Sequence, residues 1–135
     1  MARDTEHAET KLRGRLWNRL PKRADFLRIA ASGARRVTPG FILQTADKID
    51  TKINGGTPPL RVGFTASRKV GNAVARNRAK RRLRALVDKV MPEAANPAHD
   101  YVLIGRTETL SRDFAAMERE LRHALKKLAD KAATQ

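Results

Sequence analysis

The chain contains no cysteine, which excludes a disulfide framework and thiolate chemistry. Aromatics are scarce, with one tryptophan, one tyrosine and four phenylalanines among 135 residues. No stretch approaches the roughly 20 consecutive apolar residues of a membrane span. The opening MARDTEHAETKLRGRLW has no apolar segment of the secretory kind. These absences point to a cytoplasmic protein with one modest core, monomeric and away from membranes.

Acid is the most unevenly missing commodity. From Thr51 to Val87 there is no Asp or Glu, while Lys and Arg number ten. The whole chain carries 29 basic against 14 acidic residues, a formal charge of +15. Residues 91–135 are balanced at seven of each, so the excess sits in two blocks, Lys11–Arg36 and Lys52–Lys89. Segregated positive charge is an electrostatic footprint for nucleic acid. A basic membrane anchor would carry a Trp/Phe/Leu face, which this chain lacks.

Catalytic constellations are missing as well. His7, His99 and His123 are scattered without ligand spacing, and each reads as a surface residue. There is no HExxH, no nucleophile elbow and no phosphate-cradling glycine loop, and Gly71-Asn72 reads as a break before a helix. The acid-free segment cannot supply carboxylate general acid–base pairs. No catalytic residue and no metal ligand is therefore expected on this protein.

Taken in order, residues 1–19 show no sustained period and read as a mobile basic tail ahead of one domain over 20–130. Trp17 within it could stack on a base, dock on the domain or do neither. Pro21 suits a helix start and Gly33 a helix stop, which predicts a first helix over Lys22–Ser32 with Lys22, Arg23 and Arg28 exposed. Pro39-Gly40 separates two β-like runs, 35–38 and 41–46, as a hairpin would. Residues 47–59, with Asn54-Gly55-Gly56 and Pro58-Pro59, read as a polar loop. Leu60–Ala66 alternates as a strand.

After Gly71-Asn72, Ala79, Leu83, Leu86, Val87 and Val90 form one apolar stripe at helical spacing. Arg78, Arg81, Arg82 and Arg84 take the remaining arc with Asn77 between them, and Arg76 and Lys80 flank the stripe. Repulsion at i,i+4 works against such a helix by a few tenths of a kcal/mol per pair, so a polyanion is expected to stabilise it. Pro92 is expected to end the helix, YVLIGR at 101–106 to form a buried strand, and Ser111 or Asp113 to cap a last helix. That helix would bury Phe114, Met117, Leu121, Leu125 and Leu128. Phe26, Phe41 and Phe64 could stack on bases or belong to the core. The order is α-β-β-β-α-β-α.

The stretch RVGFTASRKVGNAVARNRAKRRLR, Arg61–Arg84, closely resembles the hallmark of one family, the protein subunit of bacterial ribonuclease P. LPKRADFLRI at 20–29 and DYVLIGR with FAAMERELRHALKKL near the end resemble it more weakly. The resemblance implies an α+β fold, an αβββαβα sandwich with one four-stranded mixed sheet and a left-handed βαβ crossover through the arginine-rich helix. It implies an RNA-binding subunit of an endoribonuclease that removes the 5′ leader of precursor tRNA, with Mg2+ held mainly by a catalytic RNA. By the same resemblance, Arg68, Lys69, Asn72, Arg76, Asn77, Arg78, Lys80, Arg81 and Arg84 would bind the catalytic RNA. Arg23, Phe26 and Phe64 would hold the leader of precursor tRNA. Two positions depart from the family, Ala30 and Gln44, where aromatics are common. A structural RNA-binding protein of the ribosomal type is the alternative.

Overall fold

The structure, a computed structural model, describes residues 17–20, 22–32, 34–47, 60–96 and 98–133. Most of the expected tail, the 48–59 part of the polar loop, His7, and the Pro21 and Gly33 helix signals lie outside the described residues. The elements are β1 (Trp17–Arg19), α1 (Arg23–Ala31), β2 (Arg35–Val37), β3 (Phe41–Asp47), β4 (Leu60–Ala66), α2 (Ala73–Ala94), β5 (His99–Gly105), a 3-10 turn (Thr107–Leu110) and α3 (Phe114–Ala133). One mixed sheet runs β1-β4-β5-β3-β2. β1, β4 and β5 are mutually parallel, and β3 is antiparallel to both β5 and β2.

The α+β reading holds, but the sheet has five strands where four were expected. The added strand is Trp17–Arg19, taken from sequence as tail, and it pairs with Leu60–Val62. Three residues are too few to display a two-residue period. Contacts far along the chain define the strand: Leu20 is buried, and its N–H donates to the Val62 carbonyl at 3.1 Å.

Alternation along each strand divides the core between the two sheet faces. Phe41, Leu43, Leu60, Val62, Tyr101 and Leu103 face α2 and α3, which contribute Leu83, Leu86, Val87, Val90 and Met91 from one helix and Met117, Leu121, Leu125 and Leu128 from the other. Each fully buried aliphatic side chain stabilises the fold by about 1.5–3 kcal/mol. The opposite face meets α1 through a smaller cluster of Leu20, Ile29 and Val102. The hairpin forms as expected, with Thr38 and Phe41 exchanging hydrogen bonds across the turn. Asp113, rather than Ser111, caps α3 by accepting from the Ala116 N–H at 3.1 Å.

Two expectations need correction. Pro92 lies inside α2, whose last turn closes beyond it through the Ala95 N–H to the Met91 carbonyl at 2.9 Å. So close to the helix end, proline removes one hydrogen bond without breaking the helix. Arg28, expected in solvent, retains only 20% exposure of its side chain. Its Nη2 donates to the fully buried Asp100 at 2.7 Å, and its Nη1 to the Asp47 carbonyl at 2.7 Å. Asp100 also accepts a two-pronged contact from Arg61, at 3.0 Å from Nε and 2.7 Å from Nη2. Arg61 and Asp100 are register partners on β4 and β5, so the fork meets the carboxylate squarely. The hydrogen bond to Asp100 holds the Arg61 guanidinium above its ordinary pKa. This cluster pins α1 to the sheet.

Candidate nucleic-acid interface

The turn between β4 and α2 sets up the basic surface. Ser67–Gly71 forms two successive tight turns, with Val70 N–H to Ser67 carbonyl at 3.0 Å and Gly71 N–H to Arg68 carbonyl at 3.1 Å. Buried Val70 anchors the loop and leaves Arg68 and Lys69 exposed. Gly71 has φ +146, and a Cβ there would lie 2.8 Å from the Ala75 Cβ, so this turn excludes a side chain. Asn72 then caps α2, its Oδ1 accepting from the Ala75 N–H at 2.9 Å. Its amide oxygen is thereby engaged, while the residue stays exposed. Arg76 reaches back to donate to the Gly71 carbonyl at 3.0 Å.

Along α2 the expected stripe of Ala79, Leu83, Leu86, Val87 and Val90 is buried, which leaves the cations on its two flanks and crest. On one flank, Asn77, Lys80 and Arg84 join Arg19, Leu20, Phe26 and Phe64 around a cleft of about 250 Å³. Three elements distant in sequence build it. Phe26 packs closely over the sheet because Gly63 has no side chain: a Cβ there would come within 2.5 Å of the Phe26 ring. Phe64 is half-buried against the main core and meets Trp17 edge-on at 5.4 Å between centroids. The Trp17 indole N–H donates to Asp88 on α2 at 2.6 Å. β1 pairs with β4 only as far as Val62, so β4 from Gly63 onward borders the cleft without a covering strand among the described residues.

The structure brings Phe26 and Phe64 together with Asn77, Lys80 and Arg84, residues that the sequence had divided between two jobs. Arg23, Arg68 and Lys69 are exposed but do not line this cleft. Arg78 and Arg81 face the other flank with Arg82, Ala85 and Phe114. Phe41 is entirely core. Ala30 is exposed on α1, and Gln44 is buried in β3, so neither position offers a ring. Sequence reasoning missed Arg19 and Leu20, whose only signal was their place in the basic RGRLWNRLPKR run.

Electrostatically the surface is one-sided. Among the described residues no carboxylate pairs with Arg19, Arg68, Lys69, Arg76, Arg78, Lys80, Arg81, Arg82 or Arg84. Cations left this way, beside half-buried rings, suit a single nucleic-acid strand, with phosphates on the guanidiniums and bases on the aromatics. Among the described residues, no His, Asp or Glu lines the cleft. No group of three or more His, Cys, Asp or Glu that could hold a metal ion occurs among the described residues. No described helix is long and apolar enough to cross a membrane.

Known proteins resemble this chain over most of its length. Residues 17–129 match the family described as Ribonuclease P. The ribonuclease P protein component of Paramagnetospirillum magneticum is 50% identical over 111 residues, 82% of this chain and 82% of that one. Its counterpart from Ruegeria pomeroyi is 52% identical over 110 residues, 81% of this chain and 84% of the other. The RNase P protein of Staphylococcus aureus superposes with a TM-score of 0.60 at 32% identity, over 80% of this chain and 92% of that one. That of Thermotoga maritima gives 0.64 at 26% identity, over 82% of this chain and 96% of that one.

Proposed function

The chain belongs to the ribonuclease P protein family, and from that premise we propose that it binds the enzyme's catalytic RNA and the 5′ leader of precursor tRNA together. It is a subunit of an RNA-processing endoribonuclease. The reaction centre would belong to the RNA, where Mg2+ would supply activation of water and stabilisation of the leaving oxygen. What this chain contributes is position and charge. Phe26 and Phe64 stack leader bases, Lys80 and Arg84 neutralise the leader phosphates, and Asn77 hydrogen-bonds to a base or sugar edge. Arg23 meets the leader outside the cleft. Arg68, Lys69, Asn72, Arg76, Arg78 and Arg81 carry the contact with catalytic RNA.

The observation that supports this reading best is the cleft itself, where two half-buried rings meet Lys80 and Arg84 with no acid among the described lining residues. Reconstitution with catalytic RNA tests it: the protein should stimulate removal of the leader at low Mg2+, and no stimulation would reject the subunit reading. Phe26→Leu should weaken binding of leader-bearing precursor by several-fold while leaving mature tRNA binding unchanged. Equal losses on both substrates would confine Phe26 to packing.

A further inference from the structure

The cations of α2 fall on two flanks, and only one of them borders the leader cleft. At about 100° per residue, Asn77, Lys80 and Arg84 lie on one side of the buried stripe and Arg78, Arg82 and Ala85 on the other, with Arg81 at the crest. The second flank meets the start of α3, where Arg78, Arg81, Arg82, Ala85 and Phe114 line an open groove. We propose that this groove is a separate base-binding site for an unpaired nucleotide of the catalytic RNA. The base lies against Phe114 and the Arg82 guanidinium, and the adjoining phosphates rest on Arg78 and Arg81. The proposal rests on the reading of the chain as an RNA-binding subunit and adds to it a site, a ligand class and a residue, Phe114.

Arg82 makes the groove a prepared platform. Its Nη1 and Nη2 donate to the carbonyls of Leu110 and Arg112, at 3.4 and 2.5 Å. Its guanidinium carbon sits 6.0 Å from the centre of the Phe114 ring. The side chain is thus held between the 3-10 turn and α3, its charge offset by no carboxylate among the described residues. Its Nε is buried without a hydrogen-bond partner there. A guanidinium fixed over a ring loses little entropy when a flat base stacks on the pair. Phe114 itself is only half-buried although it opens the apolar face of α3. Arg78 and Arg81 are exposed beside it and free to take phosphates. An acidic peptide would need the charges alone and leave the aromatic floor unused, whereas a nucleotide uses both.

The test places a fluorophore in the groove. In Trp17→Phe/Phe114→Trp the sole indole occupies position 114, where stacking on a base quenches it. Saturating catalytic RNA should quench its emission, and a leader oligonucleotide should not. Unchanged emission with catalytic RNA bound, or equal quenching by the leader strand, overturns the proposal while the subunit reading stands. A wild-type protein that fails to bind catalytic RNA rejects that reading, and this proposal with it. Should the double variant not fold, Arg78→Gln and Phe114→Leu decide the matter. Phe114→Leu should cost about tenfold in affinity for catalytic RNA, and Arg78→Gln should make the log–log salt slope shallower by about 0.7–0.9. Both should leave the precursor-to-mature tRNA affinity ratio unchanged. Full affinity in both variants, or a shifted ratio, overturns the assignment.

Discussion

Arginine serves two opposite purposes on either side of this sheet. Under α1, Arg28 and Arg61 converge on the buried carboxylate of Asp100, with Asp25 a further 3.4 and 3.9 Å from them. Along α2, comparable guanidiniums stand within one or two helical turns of each other and meet no acid among the described residues. The first group is charge-paired within the protein and holds α1 in place. The second meets no carboxylate among the described residues, and its mutual repulsion favours the approach of an external polyanion. Residue type therefore says little about an arginine's role; the nearest carboxylate decides it.

The sharpest way to break that comparison is Asp100→Asn. It leaves Arg28 and Arg61 largely buried with only the more distant Asp25 as counter-charge, and should cost about 3–5 kcal/mol of stability. Urea unfolding measures this, and a loss below about 1 kcal/mol would reduce the cluster to an ordinary surface pair. Gly63→Ala comes next. The added Cβ must push Phe26 off the sheet, costing about 1–3 kcal/mol by overpacking. It should also weaken discrimination for leader-bearing precursor, whereas normal discrimination would place the leader elsewhere. The smallest effect on stability is expected from Lys80→Gln, which should change it by no more than a few tenths of a kcal/mol and upward, since Arg76 and Arg84 lie four residues to either side. Its affinity for precursor tRNA should nevertheless fall and its salt slope flatten by about 0.7–0.9. A destabilised Lys80→Gln with full affinity would reverse the assigned roles of the two regions.

Much of the fold is written in local periodicity. The stripe of α2, the alternation of β4 and the Pro39-Gly40 hairpin were all legible, because each rests on spacing within a few residues. What escaped depends on partners far along the chain. Arg28 looks like a solvent residue at helical spacing, since its carboxylate lies 72 positions away on β5. Trp17–Arg19 is too short to show a strand period and is specified by β4 and by Asp88. The candidate site shows the same division. The basic helix and both rings were visible, but two features were not. One is the junction of Phe26 and Phe64 with Asn77, Lys80 and Arg84 in one cleft. The other is the separation of Arg78 and Arg81 onto a different flank. Helical phase separates the flanks, yet only tertiary packing says what each one faces.

The lone tryptophan gives the molecule an optical gauge of its own. Its indole N–H is held by Asp88 on the arginine-rich helix, and its ring stands edge-on to Phe64 in the cleft. With no second indole to blur the signal, ultraviolet emission of the unlabelled wild-type protein should shift when a strand enters the cleft or when the helix moves against β1. Occupancy could then be followed in real time without a dye, a tag or an altered residue.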